Sequence, residues 1–512
     1  MSREERGGSS RRPPFLAVDV VGALHVVGTL LAYLSLSVLL PAGFAVGYRE
    51  EVWPFVAAGV ISGGIGLGVA FATRGDHRLG IREGFLVVSL TWLAAAAFGA
   101  LPYVLSGNPQ LDRPVDAFFE GMSGFSTTGG SIVTDVEALP RSLAIWRQFT
   151  QWLGGIGIIV LALAVLPRLR VGGRQLLEHE MPGPEIETLS TRIRDTARRV
   201  WALYIALTAV LFGLLLALGA TGVDEAMSPF QAFAHALTTI PTAGFSTKSD
   251  SIESFAPATQ WLLILFMVLG GFNFALMYRV LVRRQPRALP RDAEARLYVA
   301  LLALGSLIVV TEVWTEDVLG GREAVRKGIF TAVSTMTTTG FSVADYNVWP
   351  ALAMMTLVGL MFVGGSAGST TGSVKVVRHL LLGKILRREI DQTLHPELVL
   401  PVRLNRRVVD ERTLRAISSF ILLYVGIFVI GAALLAIDAA RTGLALSPFD
   451  AVSVSASMLS NVGPAFGIGG PLGSFEPFSD FSTILMSGLM WLGRLEIVPI
   501  VVLVSRHYWR NV

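Results

Sequence analysis

Long apolar stretches recur along the chain and are separated by short polar connections. A helix that crosses a membrane needs about 20 consecutive, mostly apolar residues. Ten stretches of roughly that length are present, at residues 20–45, 53–73, 84–105, 145–167, 199–220, 258–281, 297–314, 350–382, 416–437 and 481–505. The pattern therefore predicts an all-α integral membrane protein.

Shorter, semi-polar segments lie between the two members of each of the last four pairs of apolar stretches. These segments are residues 115–126, 228–241, 326–337 and 448–460. Each is too short to cross a membrane, and each ends at a glycine motif. Non-helical backbone at membrane depth is tolerated only where it is buried in protein or lines a water-filled cavity. We therefore predict four half-helices that enter the membrane and return through loops around one central pore.

The glycine motifs repeat in register. They read Thr127-Thr128-Gly129-Gly130-Ser131, Thr242-Ala243-Gly244-Phe245-Ser246, Thr338-Thr339-Gly340-Phe341-Ser342 and Asn461-Val462-Gly463-Pro464-Ala465. A hydroxyl side chain stands six residues before each central glycine, at Ser123, Thr238, Ser334 and Ser457. A single motif of this kind is equally typical of close helix packing in a membrane. Four copies in register instead indicate an internal repeat of about a hundred residues, which sets the architecture.

The predicted architecture is a leading two-helix hairpin followed by four tandem helix–half-helix–loop–helix repeats. The boundaries that we predict are 1–19 for a cytoplasmic N-terminus, 20–83 for the leading hairpin, and 84–195, 196–292, 293–400 and 401–512 for the four pore repeats. Of the ten predicted spans, only the eighth is visibly interrupted in sequence, by a run of Gly and Ser.

Composition and charge agree with a membrane location. Of the 512 residues, 52% are apolar and only 16% are charged, and there is no cysteine for a disulfide or a thiolate site. Arginine concentrates at one set of chain connections, namely 3–12, 74–82, 168–199, 279–291, 378–412 and 506–510. The positive-inside rule makes that side cytoplasmic. We therefore predict a multi-pass protein of the cytoplasmic (inner) membrane, with both termini inside and the glycine loops entering from outside.

The chemistry that fits four glycine loops around an axis is the replacement of an ion's hydration shell by backbone carbonyls. Successive carbonyls must then face the same way, which glycine permits because it adopts left-handed conformations at little cost. The preceding half-helix directs its partial negative C-terminus at the cavity, which favours a cation. No Ser/His/Asp triad and no cluster with transition-metal spacing is found in the sequence, so we expect neither an enzyme nor a cofactor.

The four motifs resemble those of the TrkH-type subunits of the Trk/Ktr/HKT superfamily of cation transporters, and the likeness covers essentially residues 84–505. The leading hairpin before residue 84 is also a feature of TrkH-type members. The resemblance implies a potassium filter with one glycine from each repeat. The filter residues that it assigns are Thr127, Thr128, Gly129, Thr242, Ala243, Gly244, Thr338, Thr339, Gly340, Asn461, Val462 and Gly463. Members with serine at the first filter position tend to pass sodium, so glycine at all four positions implies a preference for potassium. The fourth loop departs most from the others.

The interruption of the eighth span contains Gly364, Gly365, Gly368 and Gly372, with Lys375 directly after it. An ionisable residue inside a membrane indicates a functional site, and the resemblance implies an intramembrane gating loop here. The alternative is that Lys375 reaches the cytoplasmic surface beside Arg378. In the last span we expect Arg494 to project into the pore or toward this loop, because residues 494 and 496 do not face each other on a helix.

The resemblance also implies partners, namely a homodimer of pore chains and a cytosolic, nucleotide-binding (TrkA-like) regulatory subunit. Membrane lipid is expected around the spans, and no nucleic acid is. An alternative function is a symporter that couples potassium to protons or sodium, since broken helices mark the sites of such transporters. Those transporters interrupt spans in paired halves, and a single interrupted span argues against them here.

Overall fold

The computed structural model describes residues 18–77, 79–164, 186–397, 399–405 and 407–509. Most of the predicted N-terminal segment 1–19 and the basic connection 165–185 lie outside the described residues. The described helices are α1 (Val20–Leu34), α2 (Leu39–Tyr48), α3 (Trp53–Ala72), α4 (Ile81–Leu105), α5 (Pro114–Phe125), α6 (Arg141–Ala164), α7 (Ile186–Ala220), α8 (Pro229–Thr239), α9 (Pro257–Gly270), α10 (Phe274–Leu281), α11 (Ala293–Thr315), α12 (Gly321–Met336), α13 (Ala351–Met361), α14 (Val376–Leu394), α15 (Glu411–Thr442), α16 (Pro448–Ser460), α17 (Asp480–Arg494), α18 (Val498–Val504) and α19 (Arg506–Trp509). Two short antiparallel strands, β1 (Arg403–Leu404) and β2 (Arg407–Val408), follow α14. The predicted all-α fold is confirmed.

Six of the described helices are long and apolar enough to cross a membrane, or up to eight if each of two bent helix pairs counts as one span. The six are α1–α2, α3, α4, α7, α11 and α15. Two further predicted spans correspond to α6 and to the pair α13 and α14, which the residues after Met361 separate. The predicted spans thus fall on helices along the described chain.

The four half-helices are α5, α8, α12 and α16, and they start at residues suited to a helix N-terminus. Pro114, Pro229 and Pro448 each occupy the first turn, where the missing N–H costs nothing. The Ser447 hydroxyl accepts from the Asp450 backbone N–H at 3.1 Å, and the Asp450 carboxylate accepts from Ser447 N in return, which forms a capping box. Toward their C-terminal ends all four half-helices are almost entirely buried, so they lie at the centre of the bundle.

The leading hairpin packs through small residues. A Cβ added at Gly66 in α3 would lie 2.6 Å from Ala32 N and 2.7 Å from Gly28 O of α1, so only glycine permits this approach. At the end of the hairpin, Asp19 N donates to the Glu83 carboxylate of α4 at 2.9 Å. The glycine contact holds the two helices of the hairpin together, and the bond to Glu83 attaches the hairpin to the first repeat.

The expectation that only the eighth span is interrupted is wrong. The axes of α9 and α10 meet at 109° and those of α17 and α18 at 112°, so the second helix is broken in repeats two, three and four. Asn273 starts α10 by accepting from Leu276 N at 2.9 Å, and Ile497 has a φ of +62°, which a right-handed helix does not contain. In contrast, α6 of the first repeat is continuous. A count of interrupted spans therefore does not argue against a coupled transporter.

Candidate functional site

All four half-helices pass into their glycine loops through the same hydrogen bond. In each repeat the residue before the central glycine donates its N–H to the backbone carbonyl of the repeated hydroxyl residue. The pairs are Thr128 to Ser123 at 2.9 Å, Ala243 to Thr238 at 3.0 Å, Thr339 to Ser334 at 2.8 Å and Val462 to Ser457 at 2.9 Å. The repeat found in the sequence is therefore also a repeat of backbone geometry.

Left-handed residues alternate with other conformations in each loop. The pairs are Thr127 (φ +53°) with Gly129 (+85°), Thr242 (+53°) with Gly244 (+88°), Thr338 (+53°) with Gly340 (+78°), and Asn461 (+56°) with Gly463 (+102°). An ordinary strand points successive groups to opposite sides, and a left-handed residue at every second position changes that alternation. Sequence analysis assigned the special conformation to glycine alone and missed the three threonines, which adopt it only because the surrounding structure imposes it.

The four loops close into one ring. A Cβ added at each central glycine would overlap or press on the carbonyl of the residue before the next central glycine. These contacts run from Gly129 to Ala243 O, from Gly244 to Thr339 O, from Gly340 to Val462 O and from Gly463 back to Thr128 O. The four glycines thus meet around a common centre, in chain order, as the repeat pattern led us to expect. The binding of an ion by the filter residues stays a prediction.

In three of the four repeats the repeated hydroxyl side chain donates a hydrogen bond to a carbonyl of the glycine loop. Ser123 Oγ donates to Gly130 O at 2.6 Å, Ser334 Oγ to Phe341 O at 2.8 Å and Ser457 Oγ to Pro464 O at 2.9 Å. In the second repeat, Thr238 instead lies within 3.4 Å of carbonyls of its own half-helix. The ring is therefore only pseudo-fourfold.

The second and fourth loops have supports of their own. Gln151 of α6 donates to Ala243 O at 2.5 Å and accepts from Phe245 N at 3.0 Å, so one amide side chain holds both sides of Gly244. Asn461, which replaces threonine in the fourth loop, donates to Thr128 Oγ1 at 3.0 Å and thereby joins the fourth loop to the first. The divergence of the fourth loop therefore serves a contact between repeats.

A buried ion pair lies behind the first two loops and was missed by the sequence analysis. Glu120 of α5 and Arg147 of α6 are 0% and 1% exposed, and Arg147 Nε lies 2.6 Å from Glu120 Oε1. Glu120 also accepts from Ser131 Oγ at 3.0 Å and from Ile132 N at 3.1 Å, while the Arg147 guanidinium lies 4.2 Å from the Phe245 ring centroid. Charged residues in apolar segments are a functional signal, and that signal would have found this pair.

A polar cavity of about 290 Å³ adjoins the ring. Its lining includes Gly129, Gly244 and Gly340 together with Pro464 of the fourth loop. All four loops therefore contribute to the lining of one cavity.

The interrupted eighth span forms a loop, residues 362–375, that packs directly against the ring. Gly372 N donates to Thr338 Oγ1 at 2.8 Å. A Cβ at Gly365 would lie 2.5 Å from Gly271 O, whereas Gly368 has a φ of +74°. Gly364 N donates to Val374 O at 3.0 Å, which closes the two ends of the loop against each other. This loop connects the third glycine loop to the break between α9 and α10.

The two cations predicted near this loop both contact it. Lys375 is 7% exposed, and its Nζ donates to the Thr371 carbonyl and to Thr371 Oγ1, so it does not reach the surface. Arg494 is 1% exposed and bridges two elements, with Nη1 3.1 Å from Thr370 O in the loop and Nη2 3.1 Å from Gly154 O in α6. Glu496 pairs with Arg378 instead of Arg494, and it lies in the break between α17 and α18 with a φ of +55°.

Sequence analysis missed one further residue at this loop. Glu294, in the first turn of α11, is 5% exposed and accepts from Ala367 N at 2.6 Å. The loop is thus held by Glu294 on one side and by Arg494 on the other. Glu294 stands at the polar end of a span, where the sequence offers no reason to separate it from an ordinary surface residue.

A bundle of apolar helices around four glycine loops that close into one ring is the architecture of a four-repeat membrane pore protein. The chain belongs to the TrkH family of cation transport proteins, whose family model matches residues 54–510. It is 34% identical over 492 residues to the Trk system potassium uptake protein TrkH of Escherichia coli (strain K12), covering 95% of this chain and 99% of the relative. It is also 34% identical over 495 residues to the Trk system potassium uptake protein TrkG of the same strain, covering 95% and 98%.

A solved structure of a related protein has the same fold. The crystal structure of the potassium transporter TrkH from Vibrio parahaemolyticus matches with a TM-score of 0.85 and 30% sequence identity, over 96% of this chain and 100% of that chain. The predicted fold of a leading hairpin and four pore repeats is therefore confirmed.

Proposed function

We propose that the protein takes up potassium across the cytoplasmic membrane, through the ring of glycine loops. The observation that supports this most strongly is the closed contact of each central glycine with the carbonyl of the next loop, because carbonyls around one axis can replace the water around a potassium ion. The curated relatives named above are potassium uptake proteins over nearly the whole length of this chain. The proposed ion ligands are backbone carbonyls of the twelve filter residues given by the sequence.

The test of this function is growth of a strain that lacks potassium uptake. Expression of the full chain is expected to restore growth in medium with low potassium. Uptake of rubidium, used as a tracer, should saturate as its concentration rises, and added potassium should compete with it. Failure to restore growth while the chain is present in the membrane would reject the proposal. Equal competition by sodium would reject potassium selectivity alone.

Gly129 is the position at which we expect selectivity to change without complete loss of transport. In the Gly129→Ser variant, the new Cβ would press against Ala243 O and would carry a φ of +85°, so the first loop must shift away from the second. A widened ring coordinates potassium less well, and we expect the potassium-to-sodium permeability ratio to fall by roughly tenfold, which corresponds to about 1.4 kcal/mol. Reversal potentials in reconstituted membranes measure this ratio, and an unchanged ratio would contradict the assignment of Gly129 to the filter.

We further propose that residues 362–375 form a gate below the ring, with Gly364, Gly365, Gly368 and Gly372 providing its fold and with Lys375 and Arg494 controlling it. Two supports carry this proposal. The loop contacts the third glycine loop through Thr338, and Arg494 attaches it to α6 of a different repeat. A buried cation next to the pathway would also raise the barrier to other cations until it moves.

Removal of the Arg494 bridge is expected to open the pathway. In Arg494→Gln the loop loses its attachment to Gly154, and we expect basal rubidium flux into proteoliposomes to rise about threefold or more, since roughly 1 kcal/mol of hydrogen bonding is lost. Arg494→Lys keeps the charge with fewer donors and should fall between the two proteins. Unchanged or reduced flux in Arg494→Gln, at unchanged thermal stability, would argue against the gate.

Orientation in the membrane and assembly with partners are also part of the proposed function. We propose that the arginine-rich connections face the cytoplasm, that two pore chains form a homodimer, and that a cytosolic, nucleotide-binding (TrkA-like) subunit regulates transport. The repeat boundaries 84–195, 196–292, 293–400 and 401–512 are part of the same proposal. Chemical crosslinking in cell membranes tests the dimer.

A further inference from the structure

A large basic cavity lies outside the ion pathway, at the connection between α10 and α11. Its volume is about 1300 Å³, and part of its wall comes from α14 and from the residues around β1. Seven cationic side chains line it, namely Arg279, Arg284, Arg287, Arg291, Arg296, Lys384 and Arg403. The lining contains a single carboxylate, that of Asp292.

The single carboxylate in the lining does not neutralise the seven cations of this cavity. Asp292 is occupied at the start of α11, where it accepts from Ala295 N and from Asn405 Nδ2, both at 2.9 Å. Across the described part of the chain, no carboxylate forms an ion pair with four of the lining arginines, which are Arg284, Arg287, Arg291 and Arg296. Like charges brought together in this way repel one another, so an anion with several acceptor oxygens would stabilise the cavity.

The cavity also adjoins an apolar edge. The axis of α10 lies at 109° to that of α9, which is the longer and more apolar part of the span, so a membrane that α9 crosses along its normal would have α10 near its plane. The end of α10 exposes 52% of Leu281 and 54% of Val282, and the connection exposes 36% of Leu289. Exposed aliphatic side chains next to clustered arginines are typical of the level of the lipid headgroups.

We propose that this cavity binds the phosphate of an anionic phospholipid, with the headgroup among Arg287, Arg291 and Arg296 and the acyl chains along Leu281 and Val282. Arginine suits this role because its planar donors bind two phosphate oxygens at once. A soluble phosphate compound would use the cations but not the exposed aliphatic edge. A lipid uses both. The proposal does not depend on the identity of the transported ion.

The test is lipid binding by the purified full chain in neutral detergent. The probes are short-chain phosphatidylglycerol, short-chain phosphatidylcholine and inorganic phosphate, each titrated while thermal unfolding is followed, because a ligand that binds the folded state raises the melting temperature. We expect phosphatidylglycerol to bind at least tenfold more tightly than phosphatidylcholine and than inorganic phosphate.

Two variants with the same loss of charge separate the cavity from general electrostatics. The cavity variant carries Arg287→Gln, Arg291→Gln and Arg296→Gln, and the control carries Arg387→Gln, Arg412→Gln and Arg415→Gln, which lie outside the lining. The cavity variant should lose at least tenfold in affinity for phosphatidylglycerol, and the control should lose less than twofold. Equal losses in both variants would overturn the proposal. Equal affinity for phosphatidylcholine, or for inorganic phosphate, would also overturn it.

Discussion

Replacement of Gly340 by alanine is expected to remove most of the potassium uptake. Alanine at a φ of +78° costs roughly 1–2 kcal/mol, and its Cβ would overlap Val462 O and lie 2.8 Å from Pro464 Cδ. Overpacking of this kind typically adds about 1–3 kcal/mol. If the whole cost falls on the ion-binding arrangement of the ring, uptake falls by about 30-fold or more. Rubidium uptake in cells without other potassium transport measures the change.

The matched control for this variant is Gly359→Ala in α13 of the same repeat. No other atom lies within 4 Å of a Cβ added there, and the residue is helical. Alanine is the better helix former by about 1 kcal/mol, so this variant should transport normally and unfold no earlier than the original protein. Normal transport by Gly340→Ala would show that the third loop is not part of the pathway.

Among the variants proposed, neutralisation of Glu120 is expected to lower the free energy of unfolding the most. In Glu120→Gln the buried Arg147 loses its carboxylate, and breaking a buried ion pair on one side costs about 3–5 kcal/mol. The same carboxylate accepts from Ser131 Oγ and Ile132 N, so the first glycine loop loses its support as well. We expect a clearly lower melting temperature in detergent, together with reduced rubidium uptake.

Two comparisons make this prediction specific. Glu323→Gln removes the carboxylate that pairs with Arg326 in the half-helix of the third repeat, and because this carboxylate is 55% exposed to solvent its loss costs only about 0–1 kcal/mol. The double variant Glu120→Gln, Arg147→Gln removes both buried charges and should recover part of the lost stability. If Glu120→Gln and Glu323→Gln unfold at the same temperature, the buried pair does not hold the loops.

The repeat could be found from sequence because its parts are local. Pro114, Pro229 and Pro448 each occupy the first turn of a half-helix, and in three of the four repeats the hydroxyl six residues before the glycine donates to the carbonyl of the residue after that glycine. The observed α5 begins and ends one residue before the predicted 115–126, and α16 has the predicted bounds 448–460, whereas α12 begins at Gly321, five residues before the predicted 326–337.

Contacts between distant segments could not be read in the same way. Gln151 and Ala243 are 92 residues apart, and Arg494 and Gly154 are 340 residues apart. The sequence around either residue of such a pair does not indicate which distant residue it contacts. The bend after α9 was also missed, because Gly270 and Gly271 within an apolar stretch are equally typical of a continuous, closely packed membrane helix.

The sequence by itself determined that this is a multi-span helical protein with four glycine loops, because span length, helix starts and the demand for glycine depend on nearby residues. Only the tertiary structure decided how the loops meet. It placed each glycine against the next loop's carbonyl, gave Thr127, Thr242 and Thr338 their left-handed backbone, and set the Glu120–Arg147 pair behind the ring. The contacts of each glycine with the next loop depend on packing between separate repeats, and the Glu120–Arg147 pair depends on packing of α5 against α6 within the first repeat, so an isolated segment would have neither the buried charges nor the strained backbone.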